Sequence, residues 1–500
     1  MNGYFSEHPI LHKILLVFLL LVGMGVRLLD LTDPPLDIHP TRQLHSALMA
    51  RGYYYETVSD APDWMIRTAA QQAKREAVIE PPILERLTAW GYQLTGGENV
   101  WIARLLSSVF WVTAGLAVYS LAKKLTNADG GLLALGAYLL MGYGVQASRT
   151  FQPDPLMVSL MAAAWWAFYI WREKSTRRWA ITAGVISGLA IFVKNSVVFF
   201  LAAPYVLLVL EPGWKAALRN KQVWAVAVLT IAPALGYTIY GTYIAGFLSQ
   251  QFNFRVFPNL WFELANYSRW FKQVLDTAGL PALLMGIAGI PLLRSGRPMR
   301  FVLGIWLGYI LYGLTFAYHI GTHDYYQLPF LAVLSISMAP LAQVLLSGWK
   351  NITSRAFWKY APFAAAILMV LAGFWSGRLT LLKDDYRAEP AFWLLLGDRL
   401  RDYPVIGLTQ DYGYRMAYYG WDSIENWPGS GDLTLRQMAG KDKGDILELL
   451  EKNIAGKHYF LVTWFDDFDR QVEVRDYLDA HFTVEAGAGY RLYDLTHPLP

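Results

Sequence analysis

Residues 14–45 read ILLVFLLLVGMGVRLLDLTDPPLDIHPTRQLH, and this stretch decides how the rest of the chain is read. Its first half, Ile14–Leu29, is apolar except for Arg27. A bilayer core of about 30 Å asks for about 20 such residues in a helix. Its second half turns abruptly polar, with Pro34 and Pro35 ahead of Asp37, His39, Arg42 and His45. An apolar run that abuts a proline-bounded polar loop is the junction of a membrane span with water. Arg27, Asp30 and Asp33 stand where a cleavage site of small residues would follow, so the run reads as a retained signal anchor.

Ten more apolar runs follow: Trp101–Ala122, Leu132–Gln146, Leu156–Trp171, Trp179–Val193, Ser196–Leu210, Val223–Ile244, Gly279–Leu293, Phe301–Tyr318, Gln327–Leu346 and Tyr360–Trp375. Lys and Arg near span ends resist translocation and mark the cytoplasmic side. Every second loop is basic: Lys123 and Lys124; Arg172, Lys174, Arg177 and Arg178; Lys215, Arg219 and Lys221; Arg294, Arg297 and Arg300; Lys350, Arg355 and Lys359. An odd number of spans, about eleven, then puts the N-terminus in the cytoplasm and the tail outside it.

Of the 500 residues, 55% are hydrophobic and 16% charged, against about 25% charged in an average soluble domain. Residues 1–380 carry 30 Lys and Arg against 18 Asp and Glu, a charge of +12; residues 381–500 carry −8. A single soluble domain, a disordered chain and a fibrous repeat are excluded. The basic clusters orient the bundle and do not read as nucleic-acid affinity. The chain has no cysteine, which excludes disulfides, thiolate metal sites and a cysteine nucleophile. The expected architecture is mainly α: a polytopic helical bundle over residues 1–380, with an extracytosolic first loop at 30–100. An extracytosolic α/β domain follows at 381–500. In that domain Pro404–Thr409, His458–Trp464 and Tyr490–Leu495 read as strands, and Ala391–Arg401 and Gly444–Asn453 as helices.

Chemistry belongs to the extracytosolic loops. In the first, Pro40 and Thr41 suit a helix start, and Asp37, His39, Arg42, His45 and Arg51 gather beside a span end. A second amphipathic run, Pro62–Val78, resembles helices that lie in the membrane interface. Glu80-Pro81-Pro82 holds an extended segment. Arg149 precedes Gln152-Pro153-Asp154-Pro155, where Asp154 either caps a helix or acts in a site. Lys194 sits in a short extracytosolic turn, where snorkelling to headgroups and a binding role are both open. The loop Gly246–Asp276 is rich in aromatics, among them Phe252, Phe254, Trp261, Phe262, Trp270 and Phe271. His319, His323, Asp324, Tyr325 and Tyr326 gather at one membrane face. A divalent metal ion is the one cofactor these residue types admit. His319 and His323 need a helix to act together, and Gly321 and Pro329 argue against a regular one.

Asp37–Gln43 with Ala50-Arg51 resembles the first-loop signature of polytopic glycosyltransferases of the GT-C superfold. The branch is the bacterial family 39-type, related to protein O-mannosyltransferases and lipid A aminoarabinose transferases. Glu80-Pro81-Pro82-Ile83 with Arg104-Leu105, Gln152-Pro153-Asp154-Pro155-Leu156, and His323–Pro329 resemble its later elements, and Tyr419-Gly420-Trp421 a short tail motif. In better-known relatives an Asp-Glu pair stands nine residues before the Ala-Arg arginine; here those positions are Arg42 and Gln43, which leaves Asp37 as the nearest acid.

The resemblance implies an enzyme of the bacterial plasma membrane that takes a sugar from a polyprenyl-phosphate donor. It would pass that sugar, with inversion, to a lipid, glycan or protein acceptor. Asp37 and Asp154 are the candidate catalytic carboxylates. Arg27, Arg42, Arg51, Arg149, Lys194, His319 and His323 are the candidate donor-phosphate partners. His39, Glu80, Tyr325 and Tyr326 would touch sugar or acceptor. The competing class, a lipid-linked-sugar flippase, would show internal repeats and broken helices near the membrane midplane.

Overall fold

A computed structural model describes residues 3–249, 256–352, 356–438 and 445–499. Phe252, Phe254, Arg355 and Gly444 lie outside the described residues. The chain divides into two compact units. One comprises residues 1–32, 77–88 and 101–384, the other residues 33–76, 89–100 and 385–500. Most of the first loop therefore clusters with the tail.

The first unit is helical. Among the described residues, six helices are long and apolar enough to cross a membrane: Pro9–Arg27, Trp101–Leu125, Lys221–Ile244, Arg297–Thr315, Asp324–Ser347 and Trp358–Leu381. Leu264–Thr277 and Leu280–Leu292, bent by 97°, make a seventh if read as one span. The other five apolar runs are helical too, but shorter, broken or more polar. They form Ala128–Leu140 with Gly142–Ala147, Asp154–Lys174, Arg177–Val193, Asn195–Val209 and Leu280–Leu292.

Helices in lipid gain nothing from hiding apolar surface from one another, so they associate where small residues let backbones approach. Two Gly-x-x-x-Gly pairs do this here. A Cβ on Gly188 would stand 2.3 Å from the Leu229 carbonyl, and one on Gly184 2.8 Å from the Leu229 side chain. Gly304 and Gly308 lie as tightly on Pro204 and Phe199. These contacts lock Arg177–Val193 to Lys221–Ile239, and Arg297–Thr315 to Val198–Val209.

One break is built by a buried cation. Helix Ala128–Leu140 ends at Met141, whose ψ of 126° is extended, and Gly142–Ala147 restarts it. Arg27 donates to the carbonyls of Leu139 (2.9 Å), Gly144 (3.4 Å) and Gly23 (2.7 Å), and to Ser148 Oγ (2.7 Å). It thus satisfies acceptors that an interrupted helix leaves open.

In the second unit the tail forms a five-stranded sheet in the order β2-β1-β3-β5-β4. The strands are β1 (Val405–Leu408), β2 (Glu425–Asn426), β3 (Tyr459–Val462), β4 (Phe482–Gly487) and β5 (Tyr490–Pro498). β1 pairs in parallel with β2 and β3; β5 pairs antiparallel with β3 and β4. Side chains alternate across the sheet with period two. Ile406, Leu408, Phe460 and Val462 enter a core with Trp427, Phe468 and Leu478. Val405 and Leu461 enter another with Trp393, Leu396 and Met416. The two expected tail helices are present as Glu389–Leu400 and Ile446–Ile454. From the first loop come helices Pro40–Tyr55 and Asp63–Arg75, which meet where a Cβ on Gly52 would fall 2.3 Å from the Ala73 side chain.

Candidate functional site

Asp154 opens helix Asp154–Lys174 between Pro153 and Pro155, with Pro153 at the N-cap. Its carboxylate accepts both Lys194 Nζ contacts, at 2.7 and 2.9 Å. Lys194 follows Val193 in extended backbone (φ −156°, ψ 114°) before the turn Asn195–Val197. The kink aims its side chain inward, leaving it 8% exposed, with Asp154 at 3%. The ammonium is therefore paired in the protein, not snorkelled to headgroups.

Around this pair stand the residues of the 319–327 segment. Lys194 Nζ lies 5.2 Å from the Tyr325 ring centroid and 6.0 Å from that of Tyr326. His319 stacks on Tyr326 at 5.4 Å, and His323 meets Tyr325 edge-on at 5.5 Å. Helix Ala317–Thr322 does form, through Gly321, and brings the two imidazoles to 5.7 Å. The turn Asp324–Gln327 follows it, and Tyr143 lies beside Asp324. Asp154, Lys194, His319, His323, Tyr325 and Tyr326 thus form one cluster of an acid, a cation, two imidazoles and two phenols. Among the described residues no three His, Asp or Glu side chains gather as a metal site.

Three residues of the sequence-derived set stand elsewhere in this unit. Arg27 holds the helix break described above. Arg149 Nη1 donates to the Leu29 carbonyl at 2.6 Å. Glu80 is half-buried in the extended segment before helix Ile83–Thr95.

The second unit holds Asp37, His39, Arg42 and Arg51. Asp37 and Arg42 are half-buried. His39 has φ +44° directly before Pro40, although a residue before proline is pressed toward extended backbone. Gln43 fixes the loop ahead of it by donating to the carbonyls of Ile38 (2.7 Å) and Pro35 (3.3 Å). Arg51 is enclosed: its Nε donates to both Glu98 oxygens at 3.0 and 3.1 Å. Its guanidinium lies 4.1 Å from the Tyr418 ring and 3.8 Å from that of Trp421. Trp421 of the Tyr419-Gly420-Trp421 motif, with Tyr418 just ahead of it, thus walls in the first-loop arginine. His45 pairs with Glu76 at 2.5 Å, and Tyr414 donates to the same carboxylate at 2.8 Å.

Sequence reasoning missed a second left-handed site here. Asp411 (φ +53°) and Tyr412 (φ +57°) are consecutive non-glycine residues in that region, each at a cost of about 1–3 kcal/mol. Asp411 pairs with Arg415 at 2.6 Å, and Arg415 with Glu389 at 3.1 Å. Burial pushes the Asp411 carboxyl up, against the pull of Arg415 and of the His39 charge. No composition or periodicity signal marks such a turn.

A family model described as dolichyl-phosphate-mannose-protein mannosyltransferase matches residues 79–240. The lipid A galacturonosyltransferase RgtD of Rhizobium johnstonii is 21% identical over 199 residues, 40% of this chain and 37% of that protein. The match thus spans little more than a third of that relative's length. ArnT from Cupriavidus metallidurans, solved with undecaprenyl phosphate, superposes with a TM-score of 0.61 at 16% identity, covering 96% of this chain and 97% of that one. The oligosaccharyltransferase AglB from Archaeoglobus fulgidus, solved with an inhibitory peptide and a dolichol-phosphate, gives 0.53 at 13% identity, covering 98% and 74%. The chain is therefore an integral membrane protein with the fold of ArnT and AglB, and its residues 79–240 match the protein-mannosyltransferase family model.

Proposed function

We propose that the chain is a glycosyltransferase that moves a sugar from a polyprenyl-phosphate donor to an acceptor hydroxyl at the extracytosolic face, with inversion. The acceptor is a lipid, a glycan or a protein. The bundle crosses the membrane eleven times. The observation that carries the reading is the buried Asp154–Lys194 pair ringed by Tyr325, Tyr326, His319 and His323. The fold of ArnT and AglB, each solved with a polyprenyl-type phosphate, supports the same donor class.

In this reading the acceptor oxygen attacks the anomeric carbon. The bond from that carbon to the phosphate oxygen breaks, and its electron pair stays on the lipid phosphate. The acceptor proton passes to a carboxylate. Asp37 is that base, and Asp154 either shares the role or orients the acceptor. Negative charge grows on the departing phosphate, where positioned cations and donors lower the barrier most. Lys194, beside Asp154, serves there with Arg42 and His323; Arg27 and Arg149 donate to backbone carbonyls, and Arg51 to Glu98 in the second unit.

Radiolabelled sugar transfer from polyprenyl-phosphate donors in membranes tests this. Asp37→Asn abolishes transfer at normal protein level. An active Asp37→Asn moves the base to Asp154, and retained activity in both Asp37→Asn and Asp154→Asn overturns the assignment. Removing one member of a buried ion pair costs about 3–5 kcal/mol. The protein level and melting temperature of Asp154→Asn are therefore read beside its activity, to separate lost chemistry from lost fold.

A further inference from the structure

Helix Leu264–Thr277 has three faces. At about 100° per residue, Asn266, Trp270, Val274 and Thr277 fall on one side, buried or half-buried; Gln273 at the edge of that side and Leu275 beside Leu264 are half-buried as well. Leu264, Tyr267 and Phe271 fall on a second and are exposed, Leu264 at 81% and Phe271 at 51%. Arg269, Lys272 and Asp276 fall on the third, exposed and charged, with Lys272 paired to Asp276. A helix with one wet face needs a single apolar face to fold. The second apolar face, open among the described residues, faces another medium.

That medium is continuous with what surrounds the bundle. Gly279, at φ +80°, turns the chain through the 97° corner into Leu280–Leu292. That helix exposes Leu280, Leu284 and Ile287 along its length. At the other end of Leu264–Thr277, Trp261 and Phe262 are exposed, Phe262 at 89%. Trp261 is tied down by its Nε1 to the Leu314 carbonyl at 2.6 Å and by its own carbonyl to Tyr267 Oη at 2.8 Å. Tryptophan and tyrosine settle at the headgroup level of bilayers.

We propose that Leu264–Thr277 lies flat in the headgroup layer of a phospholipid leaflet, with Leu264, Tyr267 and Phe271 in the acyl region and Arg269, Lys272 and Asp276 in water. Its buried face, with Asn266, Trp270, Val274 and Thr277, grips the bundle. Trp270 Nε1 donates to Tyr309 Oη at 2.7 Å, Tyr309 donates to Gln327 Oε1 at 2.7 Å, and Gln327 Nε2 donates to the Ile320 carbonyl at 3.2 Å. Gly321 allows the approach, since a Cβ there would meet that of Arg269 at 3.2 Å. The lipid-seated helix therefore braces both ends of the segment that carries His323, Tyr325 and Tyr326. This makes it a positioning element for that cluster, fixed to the leaflet.

The chain lacks cysteine, so single nitroxide labels can be placed at will. Leu264→Cys, Tyr267→Cys, Phe271→Cys, Arg269→Cys, Lys272→Cys and Asp276→Cys are labelled in the full chain. Each is reconstituted in phosphatidylcholine–phosphatidylglycerol liposomes and read by power-saturation EPR with oxygen and a water-soluble nickel chelate. Labels at 264, 267 and 271 are expected to favour oxygen by several-fold over the chelate, and those at 269, 272 and 276 the reverse. Equal chelate access at 271 and 272 places the helix in water and overturns the proposal. Oxygen preference at all six makes it part of a bent span and also overturns it. Labels at 264, 267 and 271 shielded from both reagents signal a protein partner and overturn it as well. None of these readings depends on transferase activity.

Discussion

Asp154 and Lys194 are forty residues apart in the chain yet share one buried contact. Each was visible in the sequence as a residue out of place: an acid between two prolines, and a lone lysine on the side without basic clusters. Their pairing was not visible, because it depends on the extended backbone at Lys194 that turns the side chain inward. The strained residues were less legible still. His and Asp tolerate positive φ better than most residues, yet Pro40 after His39 and the ring of Tyr412 weigh against it, so these turns carry no clear local mark. A tail carboxylate gives the residue-scale prediction. Burial pushes Asp422 up from 3.8 to about 6, against the pull of Arg401 and Arg75. With its folded value above its unfolded one, the folded state binds the extra proton between those limits. Stability therefore falls as pH rises from about 4 to about 6. Asp422→Asn imitates the protonated form. It should raise the melting temperature at pH 7.5 and match the parent at pH 4; a constant difference across that range would refute the assignment.

Helices were legible because a span must be apolar for about 20 residues, and all eleven runs contain one. Their interruptions were not, because they depend on distant partners. Arg27 supplies donors to the carbonyls around Met141, and an arginine near the end of one helix carries no sign of a break in another. The tail strands β1 and β3 stood out as short apolar runs and β5 as a partly buried one, while the two-residue β2 and the largely exposed β4 did not. Helix packing gives the element-scale prediction. A Cβ on Gly313 would stand 2.1 Å from the Trp270 ring, so Gly313→Ala must expel the indole that bonds Tyr309. Overpacking of this kind costs about 1–3 kcal/mol, and the melting temperature in detergent should fall. Gly236→Ala, where a Cβ meets nothing within 4 Å, is the matched control. Alanine is favoured over glycine in a helix by about 1 kcal/mol, so its melting temperature should hold or rise. Equal behaviour of the two would show that Trp270 does not fill that space.

At the scale of the whole molecule, the near-neutral total of +4 conceals a basic bundle and an acidic tail. The charge sign of each loop, not its sum, predicts which side it occupies. With an odd number of crossings, residues 381–500 would be expected opposite Lys123, Arg172–Arg178, Lys215–Lys221 and Arg294–Arg300. Among the described residues six helices are long and apolar enough to cross a membrane, so parity rests on the five shorter or more polar ones. One miscounted span would put the tail on the cytoplasmic side, away from the loops that carry Asp154 and His323. Single-cysteine accessibility decides this without any assay of activity. Ser59→Cys, Lys215→Cys and Glu473→Cys are all at exposed positions in a chain with no other thiol. In intact spheroplasts a membrane-impermeant maleimide should label Ser59→Cys and Glu473→Cys, and Lys215→Cys only after permeabilisation. Protection of Glu473→Cys together with Lys215→Cys would make the number of crossings even. The tail would then have no part in chemistry at the outer face.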